Sequence, residues 1–248
     1  MPDLVRRTVT DGIGRIRLAD PAHRNALSQQ LSNELAAAVA CTLEEGARVI
    51  VLSAEPPVFC AGGSLDALIS RDIPLTDMYH GFLALAAAPV PTIAVVGAPA
   101  IGAGVNLPLA CDVVLVSPSA TFDPRFLDVG IHPGGGHLWR LARRVGVQGV
   151  NALVLCGDVL TGAEAVEHGL AWRCVPDDEL DGLATRFAER VASRSGALVR
   201  RTKESVAASV GLARVEDAMA IELRAQQWSI EQPEFEATVR RVRDRLAR

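Results

Sequence analysis

Two glycine-rich turns hold most of the chemical potential of this 248-residue chain. They are Phe59-Cys60-Ala61-Gly62-Gly63-Ser64 and Gly97-Ala98-Pro99-Ala100-Ile101-Gly102-Ala103-Gly104, and each follows an apolar run and opens toward a helical pattern. Such a turn lets backbone come close to a ligand and aims unpaired helix N-terminal amides at it, which suits a phosphate or an oxygen gaining negative charge. A third glycine run, Pro133-Gly134-Gly135-Gly136, is flanked by His132 and His137. Two histidines without a third ligand nearby do not make a metal site, and none is expected.

Better-defined signatures fail. Gly102-Ala103-Gly104 follows a strand pattern, but Leu107 stands at the third glycine position of a dinucleotide fingerprint and no second strand bearing a terminal acid follows at the required distance. The chain has no GxxxxGK[ST] and no HExxH. Its five cysteines, Cys41, Cys60, Cys111, Cys156 and Cys174, are scattered singly, so they are expected to be buried reduced thiols rather than a disulfide framework or a zinc site.

The elements that must position these turns are legible from periodicity. Leu4 to Thr10 and Arg15 to Leu18 read as a β-hairpin about Gly12-Ile13-Gly14; Leu31, Leu35 and Val39 form one helical face after Ser28, a fitting N-cap. Val49 to Leu52 and Thr92 to Val96 read as buried strands, with a helix from Met78 to Ala88 between them, so repeated βα units predict an α/β core. Beyond about Asn151 helical patterns dominate and strands are nearly absent. The last segment, Pro233 to Arg248, is charged and begins with a proline suited to a helix start. A soft boundary near Ala188 divides a core, 1–188, from a C-terminal helical region, 189–248.

Composition narrows the function. With 49% apolar and 22% charged residues the chain can build a sizeable core, and a net charge of -4 lacks the basic footprint of a nucleic-acid binder. Gly81 to Cys111 is uncharged, but Pro89, Pro91, Pro99 and Pro108 interrupt it, so buried strands and turns are expected there rather than a membrane helix. No signal-peptide pattern stands at the N-terminus, and a cytoplasmic location is expected.

The two turns gain specificity from what surrounds them. His23-Arg24-Asn25-Ala26-Leu27 precedes the first helix, Pro91 to Gly97 precedes the second turn, and Ala110-Cys111-Asp112, Gly130 to Gly136 and Leu155 to Ala165 follow in order. Together these resemble the crotonase superfamily, the enoyl-CoA hydratase/isomerase family, from Gly12 to about Lys203. The resemblance implies a spiral of ββα repeats with a helical C-terminal trimerisation region, a homotrimer or hexamer, and an acyl-CoA thioester as ligand, with coenzyme A as part of the substrate and no permanently bound cofactor. It implies that the backbone amides of Gly63 and Ala103 hold the thioester oxygen where an enolate places charge. Arg24 and Lys203 match CoA-phosphate contacts, and Ala26, Ala61 and Gly62 match backbone that approaches the nucleotide and pantetheine.

The chain departs from its family where acid–base chemistry should sit. A hydratase of this family uses two glutamates; the matching positions are Asn106, three residues beyond Ala103, and Phe126. A third acid used by some relatives is Gly134 here. Neither Asn nor Phe exchanges a proton near neutral pH, and a positioned acid or base is worth roughly 10²–10⁴-fold, so ordinary hydration is expected to be crippled. Remaining carriers are His132, Asp123, Asp128 and His80, of which His132 is the first candidate because imidazole titrates near neutrality. The alternatives are an isomerase, decarboxylase or thioester hydrolase, or a non-catalytic acyl-CoA binding protein.

Overall fold

The structure is a computed structural model and describes residues 3–247. It divides into two compact units, one ending at Ser193 and the other beginning at Arg194. The expected division at 188 falls inside a helix whose Ala188 and Ala192 are both buried, so that helix stays with the core.

In the first unit each turn of the chain adds a strand to a large sheet, in most cases a strand or bridge to a smaller one, and then a helix. The hairpin is β1 (Val5–Thr10) and β2 (Ile13–Leu18), followed by α1 (Gln29–Glu44). Next come β3 (Val49–Ala54), α2 (Leu65–Ser70) and α3 (His80–Ala87). Then follow β4 (Thr92–Val96), β5 (Ala100–Ile101) and α4 (Asn106–Ala110). After them stand β6 (Val113–Val116), β7 (Thr121–Asp123) and α5 (His137–Val150), whose Gly146 interrupts the helix with φ +70°. The unit closes with β8 (Leu160–Thr161), α6 (Gly162–Glu167), β9 (Arg173–Cys174) and α7 (Asp177–Ala192).

The large sheet runs β1-β2-β3-β4-β6-β9 and is parallel apart from its first pair, while β5-β7-β8 form the small one. Isolated parallel bridges, Leu27 to Gly63 and Cys60 to Ala100, extend the small layer. Parallel strands need both faces covered. Helices α1, α3, α4 and α5 contribute Leu31, Leu35, Phe82, Leu107 and Leu141 to one core, and α7 contributes Leu180, Leu183 and Ala184 to the other. This explains why Val49–Leu52 and Thr92–Val96 are apolar without alternation.

Most expected elements are present. Ser28 caps α1, accepting from Leu31 N at 3.1 Å. The helix expected from Met78 begins as a 3-10 turn, Leu75–Tyr79, and becomes α3 only at His80. Two short strands, β8 and β9, lie beyond Asn151, where the helical patterning hid them; two residues are too few to show alternation. The thiols are not uniformly buried: Cys60 and Cys111 are, Cys41 and Cys174 are half-buried, and Cys156 is exposed.

The second unit holds α8 (Gly196–Ser209), α9 (Val215–Ile230) and α10 (Phe235–Leu246). The last starts at Phe235 rather than at Pro233. The Arg201 guanidinium lies 4.8 Å from the Trp228 ring centre, joining α8 to α9. None of the three helices buries a residue, and Val206, Val210, Met219 and Leu223 are exposed.

Candidate active site

The two glycine turns meet. Gly62 has φ +95°, and a Cβ there would stand 2.8 Å from Ile101 O and 3.3 Å from Ala103 N, so only glycine lets the second turn come this close. Gly104 is under the same constraint, because a Cβ would press into the Cys60 carbonyl and lie 2.9 Å from the Cys60 Cβ. Leu27 N donates to Gly62 O at 2.7 Å and Ser64 N to Leu27 O at 3.0 Å, a ladder that turns the intervening Gly63 N–H away from Leu27. Among the described residues, neither the Gly63 nor the Ala103 amide donates a hydrogen bond to the protein. Met78 Cε and Leu68 Cδ1 lie 3.4 and 3.7 Å from where a Gly63 Cβ would be, which makes one wall apolar.

The loop bearing Arg24 is pinned to this turn. Arg24 has φ +54° and its carbonyl accepts from Ala61 N at 3.0 Å, while its side chain is exposed. Asn25 is fully buried and does the pinning: Oδ1 accepts from Asp20 N, and Nδ2 donates to Glu55 O and Val58 O, both at 2.8 Å. Ala26 is half-buried, and its N–H donates to His23 O at 3.1 Å. Lys203, half-buried, lies on α8 in the second unit.

Asn106 and Phe126 are both buried, and both touch His137. The His137 ring lies 2.9 Å, Nδ1 to Oδ1, from Asn106, and its centroid is 4.8 Å from that of Phe126 at 64°. Asn106 Nδ2 donates to Gly134 O at 3.3 Å, the same oxygen that accepts the His137 backbone N–H. That orientation leaves Asn106 Oδ1 as the acceptor, so the His137 proton is assigned to Nδ1. His137 Nε2 is buried and has no hydrogen-bond partner among the described residues. Burial, and after it the nearby Arg140 guanidinium, pushes this imidazole down from 6.5 to about 4, so it is neutral at pH 7. Arg140 itself donates to Gly135 O at 2.6 Å, and burial lowers its pKa.

The sequence reading put His132 first among proton carriers. The structure gives its exposed ring one hydrogen bond, Nδ1 to Pro133 O at 2.8 Å, and it is the neighbouring His137 that meets Asn106 and Phe126. The signal for His137 was available: it stands one helical turn before the buried Leu141, on the face that α5 turns inward. Asp123 is held by an ion pair with Arg125, Asp128 is exposed, and His80 hydrogen-bonds Asn33 at 3.0 Å. A separate cleft of about 730 Å³ between the hairpin and α7, lined by Arg6, Arg15, Arg17, Asp177 and Asp181, includes none of these site residues. Among the described residues no group of three or more His, Cys, Asp or Glu could hold a metal ion, and no helix is long and apolar enough to cross a membrane.

The mixed α/β spiral defines a class, and comparison with known proteins agrees with it. Residues 8–245 match the family model for enoyl-CoA hydratase/isomerase, and the chain belongs to that family, within the crotonase superfamily. It is 36% identical over 244 residues to a Mycobacterium tuberculosis protein named "Probable enoyl-CoA hydratase EchA14", covering 95% of each chain. The crystal structure of enoyl-CoA hydratase from Bacillus anthracis is similar at TM-score 0.90 and 25% identity, covering 98% of this chain and 96% of that one. A Thermobifida fusca structure solved in complex with CoA is similar at TM-score 0.83 and 29% identity, covering 92% and 93%.

Proposed function

We propose that this protein binds an acyl-CoA thioester and acts on it through an oxyanion site built from the Gly63 and Ala103 amides, without the family's glutamate pair. The observation that supports this best is the close approach of the two turns, with both amides unspent on protein acceptors. Preorganised amides stabilise a developing oxyanion without reorganising, and that serves any reaction passing through a thioester enolate. CoA would lie along Arg24, Ala26, Ala61 and Gly62; the CoA complex of the Thermobifida fusca relative supports this ligand class. The exposed apolar residues of α8 and α9 support assembly into a homotrimer or hexamer.

A second reading, a non-catalytic acyl-CoA binding protein, has one observation in its favour: Asn106 and Phe126 cannot exchange protons. Titration of the purified protein with butyryl-CoA and with free butyrate tests the common ground. Saturable binding of the ester alone is expected, and equal binding of both would refute the site. Crotonyl-CoA should be hydrated at least about 100-fold more slowly than by a glutamate-bearing hydratase.

A further inference from the structure

We infer that His137 is the proton carrier of this site, positioned by Asn106, and that it moves a proton along the acyl chain rather than adding water. The inference rests on the acyl-CoA reading above and gives that site its reaction class. Three observations converge on it. The two positions that lost their glutamates, Asn106 and Phe126, are both in contact with the same imidazole. The Asn106 amide is oriented from its far end by Gly134 O, which fixes the hydrogen on His137 Nδ1 and leaves Nε2 with its lone pair. That lone pair is buried and has no partner among the described residues. A buried acceptor left unpaired calls for an explanation, and a ligand hydrogen supplied at this point provides one.

The chemistry balances with this single carrier. Nε2 takes a proton from C2 of the acyl chain; the C–H pair becomes the C1–C2 double bond, and the carbonyl pair moves onto the oxygen facing the Gly63 and Ala103 amides. In a 3-enoyl thioester the imidazolium then returns the proton to C4. The oxygen pair re-forms the carbonyl, and the remaining double bond lies between C2 and C3. No water, oxidant or second base enters, whereas hydration requires one group to activate water and a proton source for carbon. A buried imidazole titrating at about 4 has nearly the basicity of an ordinary glutamate, without its charge. Because Nε2 is closed to solvent, the acyl chain reaches it only if packing around the ring opens, and Phe126, in contact with the ring and following β7 on an irregular segment, is the side chain proposed to move.

The test uses the full chain in D₂O with butyryl-CoA, which can only exchange, and with 3-hexenoyl-CoA, which can isomerise; products are read by mass and chromatography. Wild type should form 2-hexenoyl-CoA with the C2 proton largely retained at C4, because Nε2 is closed to solvent, and deuterium should enter C2 of butyryl-CoA only to the extent that the displaced ring meets solvent. His137→Gln and His137→Asn, the latter keeping a donor toward Asn106, should each lower both rates at least about 100-fold. Butyryl-CoA affinity and the unfolding midpoint show that these variants still fold and bind. Asn106→Leu should lower the saturated rate with half-saturation changed less than about threefold, a split that general loosening of the site would not give. Unchanged isomerisation in either His137 variant, or none in wild type despite butyryl-CoA binding, overturns the carrier and leaves the acyl-CoA reading intact. Failure of wild type to bind any CoA ester overturns both.

Discussion

If His137 is buried in its neutral form, acid should destabilise this protein through that one ring. The unfolded chain would protonate the imidazole near 6.5 and the folded chain only at about 4. A base whose folded pKa is depressed contributes stability that is fully present above the unfolded value and is lost as pH falls toward the folded one. The slope between the two is about 1.4 kcal/mol per pH unit. Between pH 7.5 and 4.5 the ring should therefore remove about 2–3 kcal/mol, a large share of the roughly 5–15 kcal/mol that holds a typical domain together. His137→Leu removes the titration. It also leaves Asn106 Oδ1 without its donor, so the variant should begin about 1–3 kcal/mol less stable at pH 7.5. Urea unfolding of both proteins at pH 7.5, 6.0 and 4.5, at one protein concentration because assembly shifts apparent stability, isolates the difference. The gap should close or reverse toward pH 4.5. Parallel stability curves, within about 0.5 kcal/mol across the range, would show that His137 titrates as an exposed histidine does and would refute its neutral burial.

Gly104→Ala should destabilise the fold by about 2 kcal/mol or more, because the added methyl meets Cys60 backbone, which cannot rotate away; thermal unfolding measures it, and an unchanged midpoint would mean that α4 shifts freely. Asn25→Ala removes three hydrogen bonds to buried backbone and should cost about 3 kcal/mol in urea unfolding, while Arg24→Ala, one residue away, should leave stability unchanged within about 0.5 kcal/mol. Arg24→Ala should instead weaken CoA-ester binding and flatten its salt dependence, since an exposed charge acting on phosphate is screened by salt; calorimetry at two salt concentrations decides. Burial pushes the Cys60 thiol up to about 12, so it should resist alkylation at pH 8 in the native protein and react once unfolded, as mass spectrometry of labelled peptides would show.

The sequence by itself determined the strands β3 and β4, the capped helix α1 and the identity of the two turns. Each is written in local terms: an apolar run, a 3.6-residue stripe behind Ser28, glycines where no other residue fits. Its resemblance to the family also implied that two acids are replaced, because Asn106 and Phe126 are legible as residue types at the matching positions. It did not determine which base replaces them. His132 and His137 are five residues apart and chemically identical in the sequence, and only the fold separates them. The left-handed glycines Gly135 and Gly136 start α5 so that His137 enters the core beside Asn106, 31 residues earlier in the chain, while His132 remains at the surface. Burial and a distant hydrogen-bond partner set both the protonation and the tautomer of an imidazole, and these are properties of tertiary contact that no local pattern records.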